Sequence, residues 1–326
     1  MLKEVCEWLV TEKDGLYVDG TLGGGGHSAA LLAALKNLGR VVGVDQDADA
    51  IATATARIAS DRFRAVRSNF DGGIEAACGG ELADGVLLDL GVSSHQLDAA
   101  ARGFSLRFDG PLDMRMNAEA SSLTAHDVVN TYEERALKDL IRAGSDEAHA
   151  GRIAKAIIAA RPLERTTQLA TVIAAAVPYK KKISPVADEM MRKKTVARVF
   201  QAIRIRVNDE FGALERTLLA LPSFVKPGGR VVVLAYHSLE DRRVKRILRS
   251  GSLSGECPTD VFGNRLSPWK VIARGALTPS EAELERNGRA RSVRMRVAER
   301  TDFVPNDDPN GRDMRIVAAR IRTAMR

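Results

Sequence analysis

Four short apolar runs, at residues 16–19, 40–45, 63–66 and 85–90, divide the first ninety residues at intervals of twenty-odd. Helical patterns fill the intervals, an Ala/Leu-rich one at 28–38 and another at 48–59. Strands that recur at this spacing with helices between them read as βαβ units. Such units build a parallel sheet whose two faces are both covered, which is why its strands read as continuous apolar runs rather than alternating ones. The chain is therefore expected to open with an α/β domain.

From about residue 105 to 195 the strand-like runs vanish. Helical stretches at 123–132, 133–142, 146–160 and 166–176 replace them, with breaks at Arg161-Pro162 and Val177-Pro178, since proline restricts the residue before it and ends helices. The α/β pattern then resumes: a long amphipathic helix at 196–221, a Lys226-Pro227-Gly228-Gly229 turn, a fifth strand at 230–235 and a basic helix at 238–248. Runs at 271–273 and 293–298 predict a closing strand pair, separated by a helix start with Pro279 at its first position. The expected organisation is an α/β domain at 1–104 and 196–300, a helical insertion at 105–195, and a C-terminal extension at 301–326.

Composition narrows the class. A chain of 326 residues can bury a core without disulfides or metal. Its three cysteines, Cys6, Cys78 and Cys257, lie far apart with no C-x-x-C pair, which predicts no zinc site and a reduced, cytoplasmic setting. No leader pattern or membrane-length apolar stretch is present in the sequence. Lys and Arg total 49 against 42 Asp and Glu, a net +7, which leaves a nucleic-acid partner and a merely basic enzyme equally open. Aromatics at 5% argue against a broad stacking platform for single strands.

The first strand runs into Asp19-Gly20-Thr21-Leu22-Gly23-Gly24-Gly25-Gly26-His27. Glycines at a strand-to-helix turn let the backbone approach a ligand, and the helix start offers unpaired N–H groups. This is not the dinucleotide pattern G-x-G-x-x-G, because Ser28 stands where the third glycine belongs. A tight turn without a ligand is the plainer alternative, although four consecutive glycines carry an entropic cost that a bare turn does not require. Asp19, Asp45 and Asp89 end the first, second and fourth strands. In an open parallel sheet these ends face one crevice. An acid after the second strand can accept the ribose hydroxyls of NAD or of S-adenosylmethionine alike. Three acids together suit a cofactor with a cationic centre better than an anionic pyrophosphate. Each aspartate alone reads equally as a helix cap.

Longer motifs add a resemblance. Leu87-Leu88-Asp89-Leu90-Gly91-Val92-Ser93-Ser94-His95-Gln96-Leu97-Asp98 is followed by Arg102-Gly103-Phe104-Ser105 and by Asp109-Gly110-Pro111-Leu112-Asp113-Met114-Arg115-Met116. Phe200-Gln201-Ala202-Ile203-Arg204-Ile205, Tyr236-His237-Ser238-Leu239-Glu240-Asp241-Arg242 and Arg289-Ala290-Arg291-Ser292 come later. From about residue 4 to Arg300 these closely resemble the bacterial small-subunit ribosomal RNA cytosine-N4 methyltransferases of the MraW family. The resemblance implies a class I S-adenosyl-L-methionine-dependent methyltransferase, α/β and Rossmann-like with a mostly parallel sheet, carrying an inserted all-helical domain for RNA recognition. It implies methylation of N4 of a cytidine in the decoding centre of 16S ribosomal RNA within the small (30S) subunit, with S-adenosyl-L-homocysteine as product and neither metal nor membrane involved. A monomer and a homodimer stay equally open.

Matched residue by residue, the family's cofactor positions fall on Gly25, Gly26, His27, Asp45, Phe70, Asp89 and Gln96. Asp45 is expected at the ribose, Phe70 beside the adenine, and Asp89 near the methionine amine or the reacting centre. The chain departs from the family by beginning at Met1-Leu2-Lys3-Glu4, without the segment that usually precedes the first helix, which raises the expectation of a start upstream of Met1. It also extends past Arg300, and His95 stands where proline is common.

The exocyclic amine of cytosine is a poor nucleophile, so N4 needs an acceptor for its protons as charge develops. DNA amino-methyltransferases place an Asn/Asp-Pro-Pro-aromatic loop after the fourth strand; here that place holds Asp89-Leu90-Gly91-Val92-Ser93-Ser94. The candidate acceptors are Asp89 and Asp113, with Asp109 and His237 behind them. The structural alternatives are a pairing of Asp113 with Arg115 or Arg107, and a capping role for His237. For RNA phosphates the candidates are Lys180, Lys181 and Lys182 with Arg192, Lys193 and Lys194, and Arg242 and Arg243 on the late basic helix. Against these stands the solvated helix face. A DNA methyltransferase, an assembly factor without catalysis and a nicotinamide dehydrogenase are the rival readings.

Overall fold

The computed structural model describes residues 1–91, 100–106, 108–119, 121–178 and 184–303. Strands β1 (Leu16–Asp19), β2 (Arg40–Asp45), β3 (Phe63–Arg67), β4 (Ala83–Asp89), β5 (Val225–Ala235), β6 (Trp269–Val271) and β7 (Arg294–Arg300) form one sheet in the order β3-β2-β1-β4-β5-β7-β6. The first five are parallel, and β7 runs antiparallel to both β5 and β6. This is the expected Rossmann-like α/β class. The order reverses between β1 and β4, and a crevice opens beyond the strand ends at such a switch point.

The strands read as unbroken apolar runs because alternate residues enter two separate cores. Val18, Val42, Val44, Val86, Leu88, Val231 and Val233 pack on one face with helices α4 (Phe70–Cys78), α10 (Glu210–Ala220) and α11 (Ser238–Ser250). Tyr17, Val41, Leu87, Val232 and Leu234 pack on the other with α1 (Leu2–Leu9) and α2 (Gly26–Ala34). Each such side chain contributes about 1.5–3 kcal/mol on burial, so the central strands are held from both sides. Helix α3 (Ala48–Ile58) starts at Asp47, whose side chain accepts from Asp49 N at 3.1 Å, and α4 starts at Asn69, which accepts from Asp71 N at 3.0 Å.

The chain divides into two compact units, Met1–Gly91 with Phe211–Arg326, and Val92–Glu210. The second is helical: α5 (Ala125–Thr131), α6 (Glu134–Ser145), α7 (Ala150–Ala159), α8 (Thr166–Ala176) and α9 (Pro185–Asn208). Its core joins Val128, Leu137, Ile141, Ile153, Ile157, Leu169 and Ile173 to Val199, Phe200 and Ile203 of α9. The helical unit thus runs past the 105–195 limits expected from periodicity. The single helix expected at 196–221 is two: α9 begins earlier, at the Ser184 cap with Pro185 following, and ends at Asp209, whose φ of 49° is left-handed. Helical pattern continues on both sides of Asp209, so only the backbone reversal separates the elements.

Two smaller expectations also change. The 226–229 turn is a bulge within β5, whose pairing with β4 steps from Ala83–Val225 to Gly85–Arg230. Pro279 lies one residue outside its helix, because Ser280 is the cap, accepting from Glu283 N at 3.3 Å ahead of α12 (Glu281–Arg286). Among the described residues no helix is long and apolar enough to cross a membrane, no cluster could hold a metal, and the cysteines are free.

Candidate active site

The glycine turn joins β1 to α2. Gly25 has φ 74°, and a Cβ there would lie 2.9 Å from the Ala54 Cβ, so it must be glycine for backbone and packing reasons alone. Gly24 is different: a Cβ there would meet nothing within 4 Å. The turn thus contains one glycine that the fold demands and one beside open space. Gly26 opens α2, and Arg57 Nη1 donates to Gly24 O at 3.2 Å behind it.

Three acids converge where expected. Asp19 is fully buried, accepting from Ser28 Oγ at 2.7 Å and Thr21 N at 3.2 Å. Asp45 accepts from Gly23 N and Asp47 N, each at 2.9 Å on a different oxygen, so each oxygen keeps a free lone pair for a further donor. Asp89 accepts the Tyr236 hydroxyl at 2.8 Å on Oδ1, and His27 Nδ1 lies 3.4 Å from its Oδ2. The Asp89 N–H donates to Thr21 Oγ1 at 2.6 Å, tying the end of β4 to the glycine turn. Burial pushes the carboxyls of Asp19, Asp45 and Asp89 above the ordinary range, and His27 opposes the rise at Asp19 and Asp89. Burying acids this way is costly without a cation.

The residues fit S-adenosylmethionine on two observations of their own. His27 Nε2 is buried without a hydrogen-bond partner, and the turn is open at Gly24. A positively charged donor beside Asp19 and Asp89 would relieve their desolvation. Phe70 stands at the start of α4, just past β3, partly buried against the core. Gln96 lies outside the described residues.

The other sequence candidates divide. His237 is the N-cap of α11: its Nδ1 accepts from Glu240 N at 3.3 Å, and Glu240 Oε2 accepts from Tyr236 N at 2.9 Å and His237 N at 3.3 Å. Its Nε2 is 2.9 Å from Glu240 Oε1, an ion-pair distance without hydrogen-bond alignment. His237 thus caps α11 through Nδ1, with Nε2 buried and without a hydrogen bond. Asp113, in the helical unit, is clamped by Arg115 through Nε at 3.0 Å and Nη2 at 2.7 Å. Burial alone would raise its carboxyl, yet the Arg115 contacts hold it below the usual range. Asn208 fixes the same loop, donating to Met114 O at 2.8 Å and accepting from Met116 N at 2.7 Å. Asp109 is taken up by Thr167 and Arg165, which bring its carboxyl down to about 2.

Of the basic candidates, Arg192 is spent on Asp188 at 2.7 Å and Ala174 O at 2.5 Å, and Lys193 pairs with Glu189 at 2.7 Å. Arg243 lies 3.7 Å over the Phe211 ring and donates to Glu215 at 2.9 Å. Lys194 and Arg242 are exposed. Lys180, Lys181 and Lys182 lie outside the described residues, as do Arg107 and the 304–326 tail. The residue that sequence reasoning missed is Tyr236. Its available signal was its place directly beyond the end of β5, in the crevice row of the three aspartates.

A family model described as the MraW methylase family matches residues 1–301. A ribosomal RNA small subunit methyltransferase H of Amoebophilus asiaticus (strain 5a2) is 44% identical over 305 residues, covering 92% of this chain and 94% of that protein. One of the same name from Carboxydothermus hydrogenoformans is 45% identical over 314 residues, covering 93% and 97%. Among solved structures, a putative rRNA-methylase from Clostridium thermocellum aligns with 92% of this chain and 94% of its own, at 10% identity and a TM-score of 0.41. A match spanning both units, over a sheet whose switch point gathers acids around a glycine turn, makes this chain a member of the MraW methylase family, an S-adenosylmethionine-dependent methyltransferase.

Proposed function

We propose that the protein methylates the exocyclic N4 of a cytidine in the decoding centre of 16S ribosomal RNA, within the small ribosomal subunit, by in-line methyl transfer. The relatives' names support the class of RNA, and the absence of a Pro-Pro-aromatic loop after Asp89 separates the site from the DNA enzymes. The observation that carries the chemistry is the Asp89 carboxylate, oriented by Tyr236 and His27 at the switch point. Bound S-adenosylmethionine supplies a methyl group on a sulfonium, which leaves with the C–S bonding pair as a neutral thioether.

Asp89 then has two tasks. Its carboxylate accepts a hydrogen bond from the N4 amine, so that positive charge developing on nitrogen is stabilised. As the N4 lone pair forms the new N–C bond, the same carboxylate takes the proton that nitrogen must lose. A carboxyl pushed above its ordinary range by burial is the better proton acceptor for this role. Tyr236 fixes Oδ1 and His27 flanks Oδ2, so the carboxylate meets the reacting amine with little reorganisation. Asp45 holds the ribose hydroxyls, and Asp19, beneath the turn, favours the cation.

The test supplies labelled S-adenosylmethionine to the protein with small subunits, naked ribosomal RNA and DNA in parallel, and maps the label. Label on one cytidine N4 of the small-subunit RNA is expected. Label in DNA alone, or in adenines, contradicts the reading. No label anywhere, with subunits bound, favours an assembly factor.

A further inference from the structure

Helix α11 carries Arg242, Lys245, Arg246 and Arg249 toward solvent, and with the loop that follows it lines an open cavity of about 560 Å³. Arg265 comes from that loop. Five of the nine lining residues are cationic and none is acidic, so the cavity is built for an anion. Among the described residues, Lys245, Arg249 and Arg265 make no ion pair or side-chain hydrogen bond. The loop is folded against the helix: Arg246 Nη1 donates to Leu253 O at 3.1 Å, and Ser252 N donates to Ser250 Oγ at 3.2 Å.

One part of this loop is organised to hold an aromatic ring in water. Thr259 and Arg265 pair as an antiparallel bridge. Inside it, Asp260 Oδ1 accepts from Phe262 N at 2.9 Å and Asn264 N at 2.8 Å, while its Oδ2 accepts from Asn264 Nδ2 at 2.9 Å. The acid is thus turned into its own loop. At the tip, Val261 is 94% and Phe262 86% exposed. A braced loop whose base, Thr259 and Arg265, lines a five-cation cavity and whose tip displays a phenyl ring combines two elements of single-strand recognition, a π-face for a base and cations for phosphates.

We propose that this cavity and the Phe262 loop form an accessory docking site for an unpaired RNA strand, with a base stacked on Phe262 and its phosphates taken by Arg242, Lys245, Arg246, Arg249 and Arg265. The proposal rests on the RNA reading above and adds a contact on the methyltransferase unit itself. An unpaired strand fits better than a duplex, because only unstacked bases offer a face to a single ring.

The experiment measures binding of a short fluorescent single-stranded RNA to the full chain across a salt series. Phe262→Ala should weaken the Kd at least about fivefold. Arg249→Ala with Arg265→Ala should reduce the magnitude of the log Kd against log salt slope by about 1.4. Bound RNA should also shield Cys257, which lines the cavity, from a thiol reagent. All three side chains are exposed, and an unchanged Tm in each variant verifies the fold. An unchanged Kd, salt slope and Cys257 reactivity overturn the site. So does tighter binding of duplex than of single strand, or an equal loss of binding to anionic phosphatidylserine vesicles. RNA binding through this loop by a protein that transfers no methyl group to RNA would defeat the functional reading while leaving the site standing. Normal RNA methylation with unaltered KM and Kd in both variants would defeat the site alone.

Discussion

The Tyr236 hydroxyl donates to Asp89 Oδ1 at 2.8 Å, joining the residue just beyond β5 to the last residue of β4. The bond favours the ionised carboxylate, so it restrains a rise that burial drives. Tyr236→Phe removes that restraint. The variant's Asp89 should need a higher pH to ionise, and the acidic limb of the kcat/KM profile should move to higher pH, with kcat also reduced. A limb that stays in place would detach Tyr236 from the chemistry.

Asp19 gives a stability prediction whose sign follows from its burial. Its folded-state value lies above the unfolded value of about 3.9, so between the two the native protein binds more protons. Stability contributed by the protonated form is therefore present below about pH 4 and lost as pH rises through the raised value. Asp19→Asn keeps an acceptor for Thr21 N and removes the ionisation. The variant's Tm, measured without cofactor, should gain on wild type from about pH 4 until the raised value is passed and then hold its lead, while its affinity for S-adenosylmethionine falls. A constant Tm difference across that range contradicts the account.

The two middle glycines of the turn should separate folding from binding. Gly25→Ala places a Cβ against Ala54 at a left-handed backbone position, and should lower stability by roughly 1–3 kcal/mol. Gly24→Ala meets no protein atom, so its Tm should match wild type. The KM for S-adenosylmethionine should nevertheless rise, because the methyl enters space that the account gives to the cofactor. Calorimetry and cofactor titration on the pair read both effects.

The basic residues of α9 should behave differently from one another. Arg192 bonds Asp188 and Ala174 O, so Arg192→Ala should cost about 1–3 kcal/mol of stability, seen in denaturant unfolding. Lys194→Glu should leave stability within about 0.5 kcal/mol and raise the KM for RNA. An unchanged KM would return Lys194 to a plain solvated face.

Much of the sheet was legible because a strand buried on both faces leaves an unbroken apolar run, as at Val86-Leu87-Leu88. The three crevice aspartates were legible for the same reason: each ends such a run. Asp209 was not, because a single left-handed residue inside continuous helical pattern leaves no mark in the periodicity. Nor was the division of the arginines. Arg242 and Arg243 are neighbours in a basic run, yet one lines the cavity and the other is stacked on Phe211, and only the packing partner decides which. His237 read as either a site residue or a helix cap from its place after β5, and its reciprocal contacts with Glu240, which show the cap, depend on side-chain packing that the sequence does not display.

The most direct test of the central claim is the nucleoside composition of small-subunit RNA after single-turnover reaction with wild-type protein and with Asp89→Ala, each first shown to be folded and to bind cofactor. The account predicts N4-methylcytidine at one position with wild type and none with the variant, even at saturating S-adenosylmethionine. Near-normal methylation by Asp89→Ala, with normal cofactor affinity, would contradict it.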